Sequence, residues 1–182
     1  MIPGERLNLR AVERSDAPLI HRWRNDPAVM PGWGWSSPAP SLNLVAQEIE
    51  GWLALESPLG RPAALIAETL DGEPVGLVVL GVDRAEAHAV ELSLLVGDPA
   101  RWGQGFGADM VQTVLDACFM DWGIHRVGVR VEEDNTRALA LYRRFHFHEE
   151  GRLRQAAFRD GRYRDILLFS LLAEEWGASR ES

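Results

Sequence analysis

The chain has 182 residues, 46% of them hydrophobic, and carries a formal net charge of −8. This length and composition suit one compact domain over residues 1–182, with room for a sizeable apolar core. The acidic balance argues against a nucleic-acid partner and favours cationic ones. The lone Cys118 permits no internal disulfide, and neither a signal-like start nor a long apolar run is present. We therefore expect a cytoplasmic protein that has no membrane partner.

The first sixty residues predict one strand and two helices. Residues 6–10, RLNLR, alternate in hydropathy as a strand does. Ser15 stands in the N-cap position of a helix that should stop near Pro27, because the residue before a proline avoids the helical region. A second helix is predicted from Ser41, with apolar residues along one face, and Gly60 closes it.

The segment between these helices carries two tryptophans, Trp33 and Trp35. Four prolines between Pro27 and Pro40, together with two glycines, oppose regular structure there. Two indoles are costly to leave in water without a purpose. They either fold back onto the core as a lid or line a substrate pocket, since loops often carry substrate contacts.

A meander of three antiparallel strands is predicted next. Residues 63–70 and 75–82 have strand character and are joined by the turn Asp71-Gly72-Glu73-Pro74. A third strand runs from residue 89. Alternation assigns one set of its side chains to the buried face: Val90, Leu92, Leu94 and Val96. An antiparallel meander of this kind differs from a dinucleotide-binding fold.

A glycine-rich turn follows the third strand and leads into a helix. Gly103, Gly105 and Gly107 crowd the first turn of that helix, whose apolar residues recur at helical spacing from Phe106. The first N–H groups of a helix lack internal acceptors and lie at the positive end of its dipole. Glycines there let an anion such as a pyrophosphate approach the main chain. The structural alternative is a turn that only tightens strand-to-helix packing.

Two nucleotide-binding motifs can be compared with this turn. A P-loop needs Lys-Ser/Thr after its last glycine, whereas Ala108-Asp109 follow Gly107 here. The dinucleotide motif needs G-x-G-x-x-G, whereas these glycines alternate strictly. Both motifs are therefore disfavoured.

The strand, turn and helix resemble the acyl-coenzyme A loop of the GNAT superfamily of N-acetyltransferases, whose pattern is Gln/Arg-x-x-Gly-x-Gly/Ala. Gly105 and Gly107 fill its glycine positions. Trp102 stands where the superfamily usually has Gln or Arg, which resembles the ribosomal-protein N-terminal acetyltransferase branch. As a single motif, the turn is moderately specific.

The last third of the chain carries a second motif of the same superfamily. A strand is predicted over residues 127–131 and a helix from about Asn135. The segment Asn135-x-x-Ala138-x-x-Leu141-Tyr142-x-x-x-x-Phe147 resembles the pattern N-x-x-A-x-x-L-Y-x-x-x-G-F. His146 replaces the family glycine at a helix end that calls for a left-handed residue.

Extended segments and a hairpin complete the predicted fold. Residues 147–150 and 152–158 look extended, and Asp160-Gly161 is a strong turn signal into a strand over residues 163–172. The resemblance implies an α/β fold of the α+β type. Its GNAT-like central sheet would be mixed and mostly antiparallel, with about six to seven strands flanked by helices.

The resemblance also implies acetyl-CoA (coenzyme A) as the bound cofactor. Backbone N–H groups of one set of residues should hold its pyrophosphate: Gln104, Gly105, Phe106, Gly107 and Ala108. Trp102 belongs to the same loop. The backbone of Leu94, Leu95 and Val96 should pair with the pantetheine arm. Asn135 caps its helix or binds the pantetheine. The acceptor would be a primary amine, with Trp33 and Trp35 as candidates for its binding site.

Two residues are candidates for proton transfer. Tyr142 is the candidate acid for the departing thiolate, although a helix tyrosine can also be a packed core residue. Glu91 is the candidate base, directly or through water, although a strand glutamate is often merely solvated. His146 and His148 lack a supporting set of ligands, so no metal site is expected.

Two hypotheses of different classes follow from these residues. The first is an acetyl-CoA-dependent N-acetyltransferase that acts in a ternary complex, and the second is a non-catalytic acyl-CoA-binding or sensing domain. Glu91 and Tyr142 favour the enzyme. Protein N-termini, aminoglycosides, polyamines, amino acids and amino sugars remain open as acceptors, and self-association into a homodimer is left open.

Overall fold

Residues 1–33, 39–84 and 88–180 are described here from a computed structural model. The strands in this part of the chain are β1 (Ile2–Pro3), β2 (Leu7–Ala11), β3 (Ala64–Thr69), β4 (Pro74–Arg84), β5 (Ala89–Val96), β6 (Arg126–Glu132), β7 (His148–Arg159) and β8 (Arg162–Leu172). The helices are α1 (Ala17–Arg24), α2 (Leu42–Leu59), α3 (Phe106–Asp116), α4 (Thr136–Arg144) and α5 (Ala173–Arg180). In the described ranges, no helix combines the length and apolar character needed to cross a membrane.

The strands form a sheet in the order β1-β2-β3-β4-β5-β6-β8-β7. The pairs β1–β2, β2–β3, β3–β4, β6–β8 and β7–β8 are antiparallel, and β5–β6 is parallel. This arrangement confirms the predicted α+β class with a mixed, mostly antiparallel sheet. Of the eight strands, the sequence did not predict β1, because two residues are too few to show a period-two pattern.

The first of two compact units comprises residues 1–80 and 93–114. Its core is a cluster of side chains from α1, α2, β3, β4 and β5 that includes Ile20, Trp23, Val45, Ile49, Ile66, Leu77 and Leu95. The Ser41 hydroxyl accepts a hydrogen bond from Leu44 N at 3.2 Å and caps α2, so the predicted start of this helix is confirmed. Gly60 ends the helix with φ 63°.

The predicted cap of α1 was wrong. Ser15 lies inside a short 3₁₀ turn, Arg14–Asp16, which precedes the helix. The capping box is formed instead by Glu13 and Asp16, with Glu13 N donating to the Asp16 carboxylate at 2.8 Å. Acidic residues on both sides of Ser15 offer stronger acceptors than its hydroxyl, which explains the shift.

The second unit comprises residues 81–92 and 115–182. Helix α3 ends in a π-helical turn, Ala117–Asp121, which is followed by Gly123 in the left-handed conformation at φ 62°. Residues predicted as two extended segments form the single strand β7, whose pairing with β8 is irregular between Leu153 and Ala157. Asp160 and Gly161 have φ of 50° and 74°, as a tight hairpin turn requires.

Candidate functional site

The glycine turn of the first unit adopts the conformation that glycine favours. Gly103 and Gly105 have φ of 75° and 92°. The first main-chain hydrogen bond of α3 runs from Asp109 N to Gly105 O at 3.0 Å. The N–H groups that precede Asp109 in this first turn therefore have no helical acceptor. They form a main-chain surface that suits a pyrophosphate.

Strand β5 departs from the predicted alternation just before this turn. Val90 and Leu92 are buried as predicted, but Leu94 and Val96 are only partly buried, and Leu95 is 4% exposed. The alternation of buried and exposed side chains thus shifts by one residue after Leu92. An extra residue in a strand produces such a shift. The assignment of Leu94 and Val96 to the buried face was therefore wrong.

The pairing of β5 with β6 covers only the start of the strand. Ala89, Val90 and Glu91 pair with residues 126–128 in parallel register. The register does not extend to Leu94, Leu95 and Val96. An extended amide-containing ligand can pair with such a strand segment in the manner of an added strand.

Trp102 and Gln104 hold the turn through their side chains. The Trp102 indole N–H donates to Val96 O at 3.0 Å, and the ring packs against the core cluster. Gln104 Nε2 donates to Ala100 O at 2.7 Å. These contacts position the loop relative to the end of β5.

Sequence reasoning missed Asp109 and Arg6, which are brought together at the start of α3. The Asp109 carboxylate accepts from Glu5 N at 3.2 Å, Arg6 N at 2.8 Å and Leu7 N at 3.0 Å. The Arg6 guanidinium then reaches the turn, where Nη1 donates to Gln104 O at 3.3 Å. These residues are about a hundred positions apart, so no local pattern could reveal the contact.

Glu91 in the second unit is held by an arginine. Arg130 Nε lies 2.8 Å from the Glu91 carboxylate, whose side chain is 35% exposed. Glu91 pairs with Gly128 across β5 and β6, which places Arg130 two residues further along the neighbouring strand. The Arg130 guanidinium therefore orients the carboxylate of the candidate base. Arg130 was not identified from the sequence, although parallel pairing of the two strands would have suggested it.

Tyr142 lies on α4 of the second unit and is 5% exposed. Its ring packs against Phe147 with the centroids 5.2 Å apart. Burial raises the pKa of its phenol above the ordinary value, so the hydroxyl stays protonated at neutral pH. A buried, protonated phenol can act as a proton donor.

The ends of α4 match the predicted motif. Asn135 Oδ1 accepts from Ala138 N at 3.1 Å, which confirms its use as a cap. His146 has φ 59° and takes the left-handed position of the family glycine, as predicted. Its side chain and that of His148 are exposed.

The predicted acceptor residues Trp33 and Trp35 are not placed by the structure. Trp33 closes a short 3₁₀ turn, Met30–Trp33, but its side chain lies outside the described residues, as does all of Trp35. Among the side chains that the structure does describe, no group of His, Cys, Asp and Glu is arranged to hold a metal ion.

Comparisons with known proteins agree with this fold. A family model described as an acetyltransferase (GNAT) domain matches residues 6–148. An uncharacterized N-acetyltransferase, p20, from Bacillus licheniformis is 29% identical over 94% of this chain and 96% of its own length. The spermidine N(1)-acetyltransferase of Vibrio cholerae is 27% identical over 95% of this chain and 96% of its own. The crystal structure of the Vibrio cholerae spermidine N-acetyltransferase in complex with CoA and spermine has a TM-score of 0.83 at 26% identity, covering 94% of this chain and 98% of that one.

The fold and these comparisons define an acyltransferase that uses an acyl-CoA donor. The chain belongs to the GNAT acetyltransferase domain family. It is an acetyl-CoA-dependent N-acetyltransferase, and acetyl-CoA is its acetyl donor. The alternative of a non-catalytic acyl-CoA sensor is set aside.

Proposed function

We propose that this chain acetylates a primary amine of a small polycation of the polyamine type, and that residues 1–182 form the single domain that does so. The observation that supports the transfer chemistry most directly is the glycine turn after β5, with its free first-turn N–H groups. The polycationic acceptor is supported by the net charge of −8, which attracts cations, and by the names of the Vibrio cholerae relatives.

The glycine turn and the end of β5 bind the donor in this proposal. The N–H groups of residues 104–108 hold the pyrophosphate at the start of α3, and the backbone of residues 94–96 pairs with the pantetheine arm. The N–H of Leu95 donates to the carbonyl oxygen as negative charge develops there. Trp102 fixes the loop through its hydrogen bond to Val96 O.

Tyr142 and Glu91 handle the protons in this proposal. Acetyl-CoA supplies the acetyl group as a thioester, whose C–S bond breaks as a C–N bond forms to the amine. Tyr142 gives its phenolic proton to the departing sulfur. Glu91 accepts the proton that the amine loses, directly or through water, and Arg130 keeps its carboxylate oriented. Asn135 fixes the first turn of α4, the helix that carries Tyr142.

A peptide N-terminus is the second candidate acceptor. One observation favours it, because Trp102 within Trp-Gly-x-Gly-Phe-Ala matches the pattern of the ribosomal-protein N-terminal acetyltransferase branch. The Trp102 side chain bonds to the end of β5 and so holds the turn. This contact does not depend on the class of acceptor. The polyamine proposal therefore has the wider support.

A thiol-release assay with a panel of amines tests the proposal. The purified chain is supplied with acetyl-CoA and, in parallel, spermidine, spermine, an aminoglycoside, an amino acid and a peptide with a free N-terminus. We expect the highest kcat/KM with a polyamine, and mass spectrometry should find one acetyl group on a primary nitrogen. Turnover confined to the peptide would instead establish the second candidate and reject the first.

A further inference from the structure

Arg6 places its guanidinium against the glycine turn from outside the turn's own segment. Besides the bond from Nη1 to Gln104 O at 3.3 Å, three atoms of the group lie at the face of Gly105. Cζ, Nε and Nη1 are each 3.9 Å from the position that a Cβ at Gly105 would take. The plane of the guanidinium therefore covers one side of the glycine turn. This is the turn whose N–H groups, before Asp109, have no helical acceptor.

The position of Arg6 is fixed by α3 itself. Asp109 lies in the first turn of the helix, and its carboxylate accepts three main-chain N–H groups of the segment 5–7, among them that of Arg6. Asp109 is 8% exposed, so these hydrogen bonds are largely shielded from water. The backbone from which the Arg6 side chain extends is thereby tied to the start of the helix.

The charge of Arg6 is available to a ligand. Among the residues that the structure describes, none forms an ion pair with Arg6, and its side chain is exposed. The other arginine of this region, Arg101, pairs with Glu73 and lies over the Phe106 ring at 5.8 Å. A guanidinium has five N–H donors, and the bond to Gln104 O uses one.

We propose that Arg6 binds the pyrophosphate of the acyl-CoA donor, together with the main chain of the glycine turn. The turn has no lysine of its own, since Ala108-Asp109 follow Gly107, and Arg6 supplies the missing cation from the β1–β2 segment. A guanidinium is suited to this because it offers two parallel donors to phosphate oxygens. The inference rests on the proposed assignment of the turn as the pyrophosphate site.

Calorimetric titration of Arg6→Gln with CoA, 3′-dephospho-CoA and pantetheine tests the proposal. Loss of a charge-assisted contact should weaken CoA and 3′-dephospho-CoA equally, by roughly tenfold or more. Pantetheine, which lacks the pyrophosphate, should bind as it does to the wild type. Arg6→Lys keeps the charge without the paired donors and should lose less affinity. Arg14→Gln, which removes an exposed arginine paired with Glu50, is the matched control and should behave as wild type.

Each other outcome has a definite meaning. Unchanged affinity in a folded Arg6→Gln, with loss of affinity in Gly105→Glu, would overturn the role of Arg6 and keep the turn as the site. Unchanged affinity in both variants would reject the assignment of the turn itself. A loss seen with CoA but absent with 3′-dephospho-CoA would move Arg6 to the 3′-phosphate and overturn the pyrophosphate contact. If Arg6→Gln does not fold, Arg6→Lys tests the proposal in its place. Wild-type affinity for CoA and wild-type salt dependence in Arg6→Lys would reject the paired contact between the guanidinium and the pyrophosphate.

Discussion

At the scale of single residues, Tyr142 carries the most specific chemical prediction. Tyr142→Phe keeps the ring packed against Phe147 and removes only the hydroxyl. If the phenol protonates the departing thiolate, kcat should fall by ~10²-fold while the dissociation constant of acetyl-CoA changes little. Steady-state kinetics under conditions where chemistry limits the rate, with calorimetry for the donor, measure both quantities. Near-normal turnover in a folded variant would leave water or the amine as the proton source.

The buried environment of Tyr142 gives a second prediction at this scale. Burial raises the pKa of its phenol above the ordinary value of about 10. The folded state therefore keeps a proton that the unfolded state releases, so this contribution to stability is complete below about pH 10 and is lost as the pH rises through the folded pKa.

The chain has two tyrosines, so Tyr163→Phe leaves Tyr142 as the sole phenol. Phenolate absorbance of that variant at about pH 10 should show less than half ionisation while the protein remains folded. Urea-unfolded protein of the same variant provides the reference titration. A folded midpoint at or below the unfolded one would contradict the effect of burial.

Individual site residues differ in how far the sequence could reveal them. Tyr142, Asn135 and His146 belong to one local motif, and the cap of Asn135 and the left-handed His146 were confirmed. Arg6 and Asp109 meet only because the segment 5–7 lies against the first turn of α3, and periodicity within a segment carries no information about such a contact.

At the scale of elements, the succession of β5, glycine turn and α3 could be predicted. Which side chains at the end of β5 are buried could not. Leu94 and Leu95 are both apolar, so alternation fits either residue on the buried face. The structure buries Leu95 because the strand changes phase after Leu92. Helix α5 was missed for a different reason: its eight residues have almost no apolar stripe, and Trp176 is its buried anchor.

The glycine turn itself gives the prediction for this element. Gly105→Glu places a side chain and a negative charge at the turn proposed to bind the pyrophosphate, at a φ of 92°. We expect CoA affinity to collapse while circular dichroism shows the fold retained. Gly72→Glu is the matched control, because Gly72 has φ 85°, lies in a different turn and has open space around it. An equal loss of affinity in both variants would point to general destabilisation rather than to the binding turn.

At the scale of the whole molecule, the fold class could be predicted because it depends on the pattern of the entire chain. Two motifs in the family order, one after β5 and one on α4, indicate the class of enzyme. The acceptor could not be predicted in the same way, since substrate contacts are often made by loops, whose sequences follow no regular period. Charge is the whole-molecule property that bears on the acceptor, and its effect can be measured.

The last prediction concerns the effect of salt on the acceptor. If the acceptor is a polycation drawn to an acidic protein, screening should weaken its capture. Raising the ionic strength from ~0.01 M to ~0.15 M shortens the Debye length from about 30 Å to about 8 Å. The kcat/KM for spermidine at saturating acetyl-CoA should fall by a factor of roughly 10, chiefly through KM. A monoamine acceptor of similar length is the control and should change by less than about twofold. Equal salt dependence for both amines would show that the charge of the acceptor contributes nothing to its recognition, and the peptide N-terminus would then be the better candidate.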